Sequence, residues 1–126
     1  MTTNQLRIMV IDDESIVGRR LKPALEKDGS LVETFENGKD ALERFEQERF
    51  HIVITDVRMD EMDGIEVLEK VLAKSGQTKV IMITGYATVE MAREALAKGA
   101  YDFVAKPFKP NDLRAIIERA AGELAL

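Results

Sequence analysis

Short apolar runs alternate along the chain with longer segments whose apolar residues recur every three or four positions. Leu6–Ile11 (LRIMVI) is apolar and β-branched in its second half, which predicts a buried strand. Glu14–Lys27 carries Ile16, Val17, Leu21 and Leu25 at helical spacing. Pro23 inside that segment predicts a kink or an early helix end, and Gly29 a helix stop. Leu31–Phe35 is shorter and more polar, as suits a strand at a sheet edge. Asn37–Gln47 predicts a helix with Ala41, Leu42 and Phe45 on one face. His51–Thr55 (HIVIT) predicts a buried strand, Gly64–Lys74 a helix burying Ile65, Leu68 and Leu72, and Lys79–Thr84 (KVIMIT) a further strand. Thr88–Lys98 predicts a helix with Gly99 just past its end, and Tyr101–Ala105 the last strand. The last helix is predicted over Pro110–Leu124, with Pro110 suited to its first turn.

Five strand–helix units in alternation predict an α/β fold: a single doubly wound parallel sheet with helices on both faces. With five strands the common order is 2-1-3-4-5. The 126 residues suit one domain spanning 1–126. Composition narrows the function classes. With 18 Lys+Arg against 23 Asp+Glu, a net charge of −5 argues against direct binding of nucleic acid and against a polybasic membrane anchor. The absence of cysteine excludes disulfides, thiolate metal sites and cysteine nucleophiles. No apolar run approaches the about 18 residues of a membrane span, and the first residues hold no signal-like stretch, so a cytoplasmic location is expected.

In sheets of this order, ligands bind beyond the carboxyl ends of the strands, near the point between strands 1 and 3 where the order reverses. The first strand ends in Asp12-Asp13-Glu14, the third in Thr55-Asp56, the fourth in Thr84-Gly85 and the fifth in Ala105-Lys106-Pro107-Phe108. Each residue alone has a plainer reading. Asp13 could cap the next helix, Lys106 could extend to solvent, and Thr84 could form a turn. Brought to one edge, three carboxylates repel unless a cation lies between them. Oxygen ligands without nitrogen or sulfur suit Mg²⁺. Lys106 adds an ammonium, and it precedes a proline, where a cis bond costs little. Thr84 adds a hydroxyl. Such a set fits phosphoryl transfer, and Asp56, alone on its strand end, is the better nucleophile candidate.

These residues resemble the receiver domain of two-component response regulators. The resemblance runs from Leu6 to about Ala121, on VIDDE (Val10–Glu14), ITDVRM (Ile54–Met59), MDG (Met62–Gly64), ITGYA (Ile83–Ala87) and KPF (Lys106–Phe108). It implies a flavodoxin-like fold and a Mg²⁺-dependent phosphoacceptor at Asp56. Asp13 would bind Mg²⁺ directly, Asp12 usually through water, and the main-chain carbonyl of Arg58 would complete the metal site. Thr84 would be the switch hydroxyl, Lys106 the phosphate-binding lysine and Phe103 the switch aromatic, although Phe103 also suits an ordinary core position. Arg58 and Tyr86 fall where this family tunes phosphate lifetime. The family's proline before MDG is absent, the segment reading Met59-Asp60-Glu61-Met62.

The implied partners are a sensor histidine kinase or phosphotransfer domain upstream, and an output domain or downstream protein. The surface of the fourth helix, fifth strand and fifth helix would switch, and many members dimerise there. The segment from Ile83 to Phe108 resembles receivers attached to enhancer-binding transcription activators. No enzyme activity is implied beyond the domain's own phosphorylation and dephosphorylation.

Other classes fit less well. A flavodoxin-type electron carrier needs a small, neutral loop after strand 1 for the flavin phosphate, where this chain has Asp12-Asp13-Glu14. A Mg²⁺-dependent phosphohydrolase normally places its nucleophile after strand 1 and needs a cap. A receiver-like module without phosphorylation would not need the full set of Asp12, Asp13, Asp56, Thr84 and Lys106. His51, beginning the third strand, is expected to be partly exposed rather than catalytic.

Overall fold

The structure is a computed structural model that describes residues 5–59, 62–85 and 88–124. Its elements alternate throughout: β1 (Arg7–Ile11), α1 (Ser15–Glu26), β2 (Leu31–Phe35), α2 (Gly38–Gln47), β3 (Ile52–Asp56), α3 (Gly64–Lys74), β4 (Lys79–Thr84), α4 (Val89–Ala97), β5 (Asp102–Ala105) and α5 (Pro110–Gly122). The sheet order is β2-β1-β3-β4-β5 with every pairing parallel, so β2 lies at an edge as its polar character predicts.

Side-chain alternation divides the core into two layers. From β1, Ile8 and Val10 join Ile52, Ile54, Ile81 and Ile83 beneath Leu21 and Leu25 of α1 and Leu113 and Ile117 of α5. Met9 and Ile11 face the other way, joining Val53 and Met82 beneath Phe45 of α2, Leu68 of α3 and Ala95 of α4. The three central strands are therefore buried on both faces, which explains why they read as continuous apolar runs. Each fully buried Ile, Leu or Val contributes roughly 1.5–3 kcal/mol through removal from water.

Local signals set most element ends. Asn37 Oδ1 accepts from the Asp40 amide at 2.8 Å, Asp63 Oδ1 from Glu66 at 2.9 Å and Thr88 Oγ1 from Met91 at 3.1 Å, capping α2, α3 and α4. Each cap is worth about 1 kcal/mol. Gly29 (φ 90°) and Gly99 (φ 106°) adopt the left-handed backbone that follows α1 and α4.

Of the two outcomes expected at Pro23, the early end of α1 is not found. The helix runs through Pro23 to Glu26 instead of ending early. Pro23 falls in its last turn, and buried Leu21 and Leu25 on either side hold that turn against the sheet. Ile16 is 48% exposed and is not part of the core. In α3 the buried stripe centres on Val67, Leu68 and Val71, with Ile65 and Leu72 only partly buried beside it. The third strand runs one residue later than HIVIT, starting at Ile52 and taking in Asp56.

Candidate functional site

Parallel pairing brings the carboxyl ends of β1, β3, β4 and β5 to one edge. Asp12 leaves β1 with its amide bonded to the Phe35 carbonyl at 3.0 Å, and Asp56 is the last residue of β3. Both are buried, whereas Asp13 is exposed. Backbone donors orient the two buried carboxylates. Asp12 Oδ1 accepts from the Glu14 amide at 2.9 Å and Asp56 Oδ1 from the Arg58 amide at 3.1 Å. One oxygen from each of Asp12, Asp13 and Asp56 lies within 4.8 Å of the others.

Lys106 stands among these charges. Its Nζ is 2.7 Å from Asp12 Oδ2, 2.8 Å from Glu14 Oε1 and 2.9 Å from Asp56 Oδ2. Its amide donates to the Thr84 carbonyl at 2.8 Å, which continues the β4–β5 ladder by one residue and fixes where the lysine emerges. The Lys106–Pro107 bond is cis. Burial pushes the Asp12 carboxyl up to about 6; Lys106 and the Glu14 amide pull it down, and the charge of Asp56 adds to the rise. Burial disfavours the Lys106 ammonium, but hydrogen bonds with Asp12, Glu14 and Asp56 outweigh that and hold it above its ordinary value. The same lysine holds Glu14 below the ordinary carboxylate value.

The cluster fits a hard divalent cation. Three carboxylates contact one ammonium and Asp13 adds a fourth beside Asp12 and Asp56, which leaves an excess of negative charge. Asp12 Oδ2 is buried, and the Lys106 ammonium stands 2.7 Å from it. The donors are all oxygens, as Mg²⁺ prefers.

Thr84, fully buried at the end of β4, lines one cleft with Asp56, Arg58 and Lys106. Asp12 does not line that cleft; it opens toward a separate groove between α1 and the start of α2. Phe103 is half-buried on β5, in register with Met82, and packs against the α2–α4 layer rather than lining the cleft. Tyr86 lies outside the described residues, as do Asp60 and Glu61 of the unusual loop. His51 is partly buried at the opposite edge of the sheet, where its Nδ1 accepts from the Arg7 amide at 2.9 Å. Burial, then Arg49 and Arg7, hold it below its ordinary pKa.

Two residues at the site were not singled out from sequence. Glu14 was read only as part of an acidic turn, yet it reaches Lys106 across 92 residues of chain. Gly64 donates its amide to the Val57 carbonyl at 2.7 Å, and a Cβ there would overlap the Asp56 carbonyl. The glycine of MDG was the available signal, but the motif does not say what approaches it.

Known proteins resemble this chain along most of its length. A family model described as the response regulator receiver domain matches residues 8–118. The chain is 42% identical over 114 residues to the regulatory protein AtoC of Escherichia coli strain K12, covering 90% of this chain and 25% of AtoC. It is 33% identical over 117 residues to the chemotaxis protein CheY of Listeria monocytogenes, covering 92% of this chain and 98% of that one. The solution structure of the beryllofluoride-activated NtrC4 receiver domain dimer superposes with a TM-score of 0.88 at 32% identity, covering 93% of this chain and 97% of that one. The chain spans about a quarter of the length of the first curated relatives it matches.

Proposed function

This chain belongs to the response regulator receiver domain family, and from that premise we propose that Asp56 is the residue that accepts the phosphoryl group. The observation that carries the choice is the cleft. Asp56 lines it with Thr84 and Lys106, its Oδ1 oriented by the Arg58 amide at 3.1 Å and its Oδ2 bonded to Lys106 Nζ at 2.9 Å.

The donor is a phosphohistidine of a sensor histidine kinase or a phosphotransfer domain. A carboxylate oxygen of Asp56 attacks phosphorus; the new P–O bond forms as the P–N bond breaks, and the imidazole nitrogen keeps the electron pair and takes up a proton. The Lys106 ammonium and the Thr84 hydroxyl bind the phosphoryl oxygens. Asp12, Asp13, Asp56 and the main-chain carbonyl of Arg58 would hold Mg²⁺, which neutralises charge on the transferring group. Water later releases the group, at a rate tuned by Arg58 and Tyr86.

Phosphorylation adds about −1.5 to −2 charge at Asp56. Thr84 moves toward it, and Phe103 turns inward into the space. The surface of α4, β5 and α5 then changes, and an output domain or downstream protein reads it, with a homodimer through the same surface. Identity of 38% over 120 residues to the transcriptional regulatory protein ZraR of Escherichia coli strain K12 supports an output in transcription regulation, and the likeness to a dimeric NtrC4 receiver supports the homodimer. In this reading residues 1–126 form one cytoplasmic receiver domain, with no chemistry beyond its own phosphorylation and dephosphorylation and no direct contact with nucleic acid or membrane. No helix among the described residues is long and apolar enough to cross a membrane.

Intact mass after incubation with acetyl phosphate tests this. Wild type with Mg²⁺ gains one phosphoryl group; wild type without Mg²⁺ and Asp56→Asn gain none. Equal modification of Asp56→Asn overturns the assignment.

A further inference from the structure

Lys106 is held by one more carboxylate than the proposed chemistry uses. Its Nζ donates to Asp56 Oδ2 at 2.9 Å and to Glu14 Oε1 at 2.8 Å, with Asp12 Oδ2 only 2.7 Å away. An ammonium has three N–H groups. With three carboxylate oxygens already around it, a phosphoryl oxygen reaches Nζ in good geometry only as one of them leaves.

The three differ in what leaving costs. The side chains of Asp12 and Asp56 are 1% and 8% exposed, so water cannot take the lysine's place beside either one. The Glu14 side chain is 62% exposed, and water replaces the lysine at little cost. Glu14 is nonetheless anchored beside the lysine. It precedes the first residue of α1, and Asp12 Oδ1 fixes its amide at 2.9 Å. Its carboxylate can swing out to solvent and back while its backbone stays in place.

We propose that Glu14 is a placeholder for the phosphoryl group: its carboxylate occupies Lys106 in the unphosphorylated protein and is displaced when a phosphoryl oxygen arrives. This rests on the Asp56–Lys106 reading above and adds a positioning residue that acts through Lys106. Glu14 opposes phosphorylation in two ways. It takes an N–H that the phosphoryl group needs, and it sets a negative charge in front of an anionic donor. Its charge therefore sets how readily this receiver takes a phosphoryl group.

The test is the affinity for beryllofluoride, an anionic phosphoryl mimic, with excess Mg²⁺, read by fluorine NMR in wild type, Glu14→Gln and Glu14→Asp. Glu14→Gln is expected to bind about two- to fivefold more tightly, the range an exposed ion pair commands. Glu14→Asp, which keeps the charge on a shorter arm, falls between the two. The gap between wild type and Glu14→Gln narrows in about 1 M salt, where exposed charges are screened. In the free Glu14→Gln protein the Lys106 ε-methylene resonance shifts toward its beryllofluoride-bound position. Equal or weaker binding by Glu14→Gln, or a gap indifferent to salt, overturns the inference while leaving Asp56 and Lys106 in their roles. Binding by none of the three proteins overturns the underlying reading and this one with it.

Discussion

Asp12 must be ionised to bind a cation, yet its surroundings favour the neutral acid. Burial raises its pKa from 3.8 to about 6, against the pull of Lys106 and the Glu14 amide. A carboxyl raised on folding stabilises the folded state fully below 3.8, where it is protonated in both states, and loses that contribution as the pH rises through about 6. Mg²⁺ reverses the preference, because it binds only the ionised form. Mg²⁺ affinity is therefore expected to hold above about pH 7 and to fall below about pH 6, approaching tenfold per pH unit. Titration calorimetry across that range checks this; an affinity flat from about pH 7.5 to 5 contradicts it.

At this scale much of the site was legible. Asp12, Asp56, Thr84 and Lys106 each end an apolar run, and a parallel sheet brings all such ends to one edge. Glu14 was not legible, because nothing local marks its contact with a lysine 92 residues away.

Among the elements, the junction of β3 with α3 carries the strictest demand. Gly64 packs directly on the backbone of Asp56, where a Cβ would overlap the carbonyl oxygen and lie 2.9 Å from the carbonyl carbon. Only backbone movement relieves that overlap, and the backbone that moves is the one that places Asp56. Gly64→Ala is expected to cost about 2–4 kcal/mol and to slow phosphorylation of the molecules that still fold. Gly76→Ala is the control, since a Cβ there meets no described atom within 4 Å; it is expected to stay within about 0.5 kcal/mol of wild type. Denaturant midpoints of the two variants decide the matter, and equal losses contradict the close-packing argument.

The elements themselves were readable because strands buried on both faces leave little room for polar residues. Misreadings arose where tertiary packing decides. Pro23 lies in a last turn held down by Leu21 and Leu25, so the helix passes through it.

Across the whole molecule, the two core layers anchor the helices unequally. α3 buries Val67, Leu68 and Val71, while α4 buries only Ala95 and leaves Val89 66% and Leu96 48% exposed. Beyond its apolar contacts, α4 is tied to α3 by Lys98 Nζ at 3.0 Å from Glu69 Oε2, an exposed pair of small worth. The helix nearest the proposed switch is thus the one with least to lose by moving. Native-state hydrogen exchange is expected to show α4 amides exchanging faster than those of α3, with β1, β3 and β4 slowest. Protection in α4 equal to that in α3 contradicts this ranking.

The central claim is that Asp56 carries the phosphoryl group. Borohydride reduces an aspartyl phosphate to homoserine, which marks the acceptor in the chain. The decisive measurement is peptide mass spectrometry of the borohydride-treated protein after phosphorylation with Mg²⁺ present. The account predicts homoserine at position 56 alone; homoserine at position 12 or 13 instead, or none in protein whose mass shows phosphorylation, contradicts it.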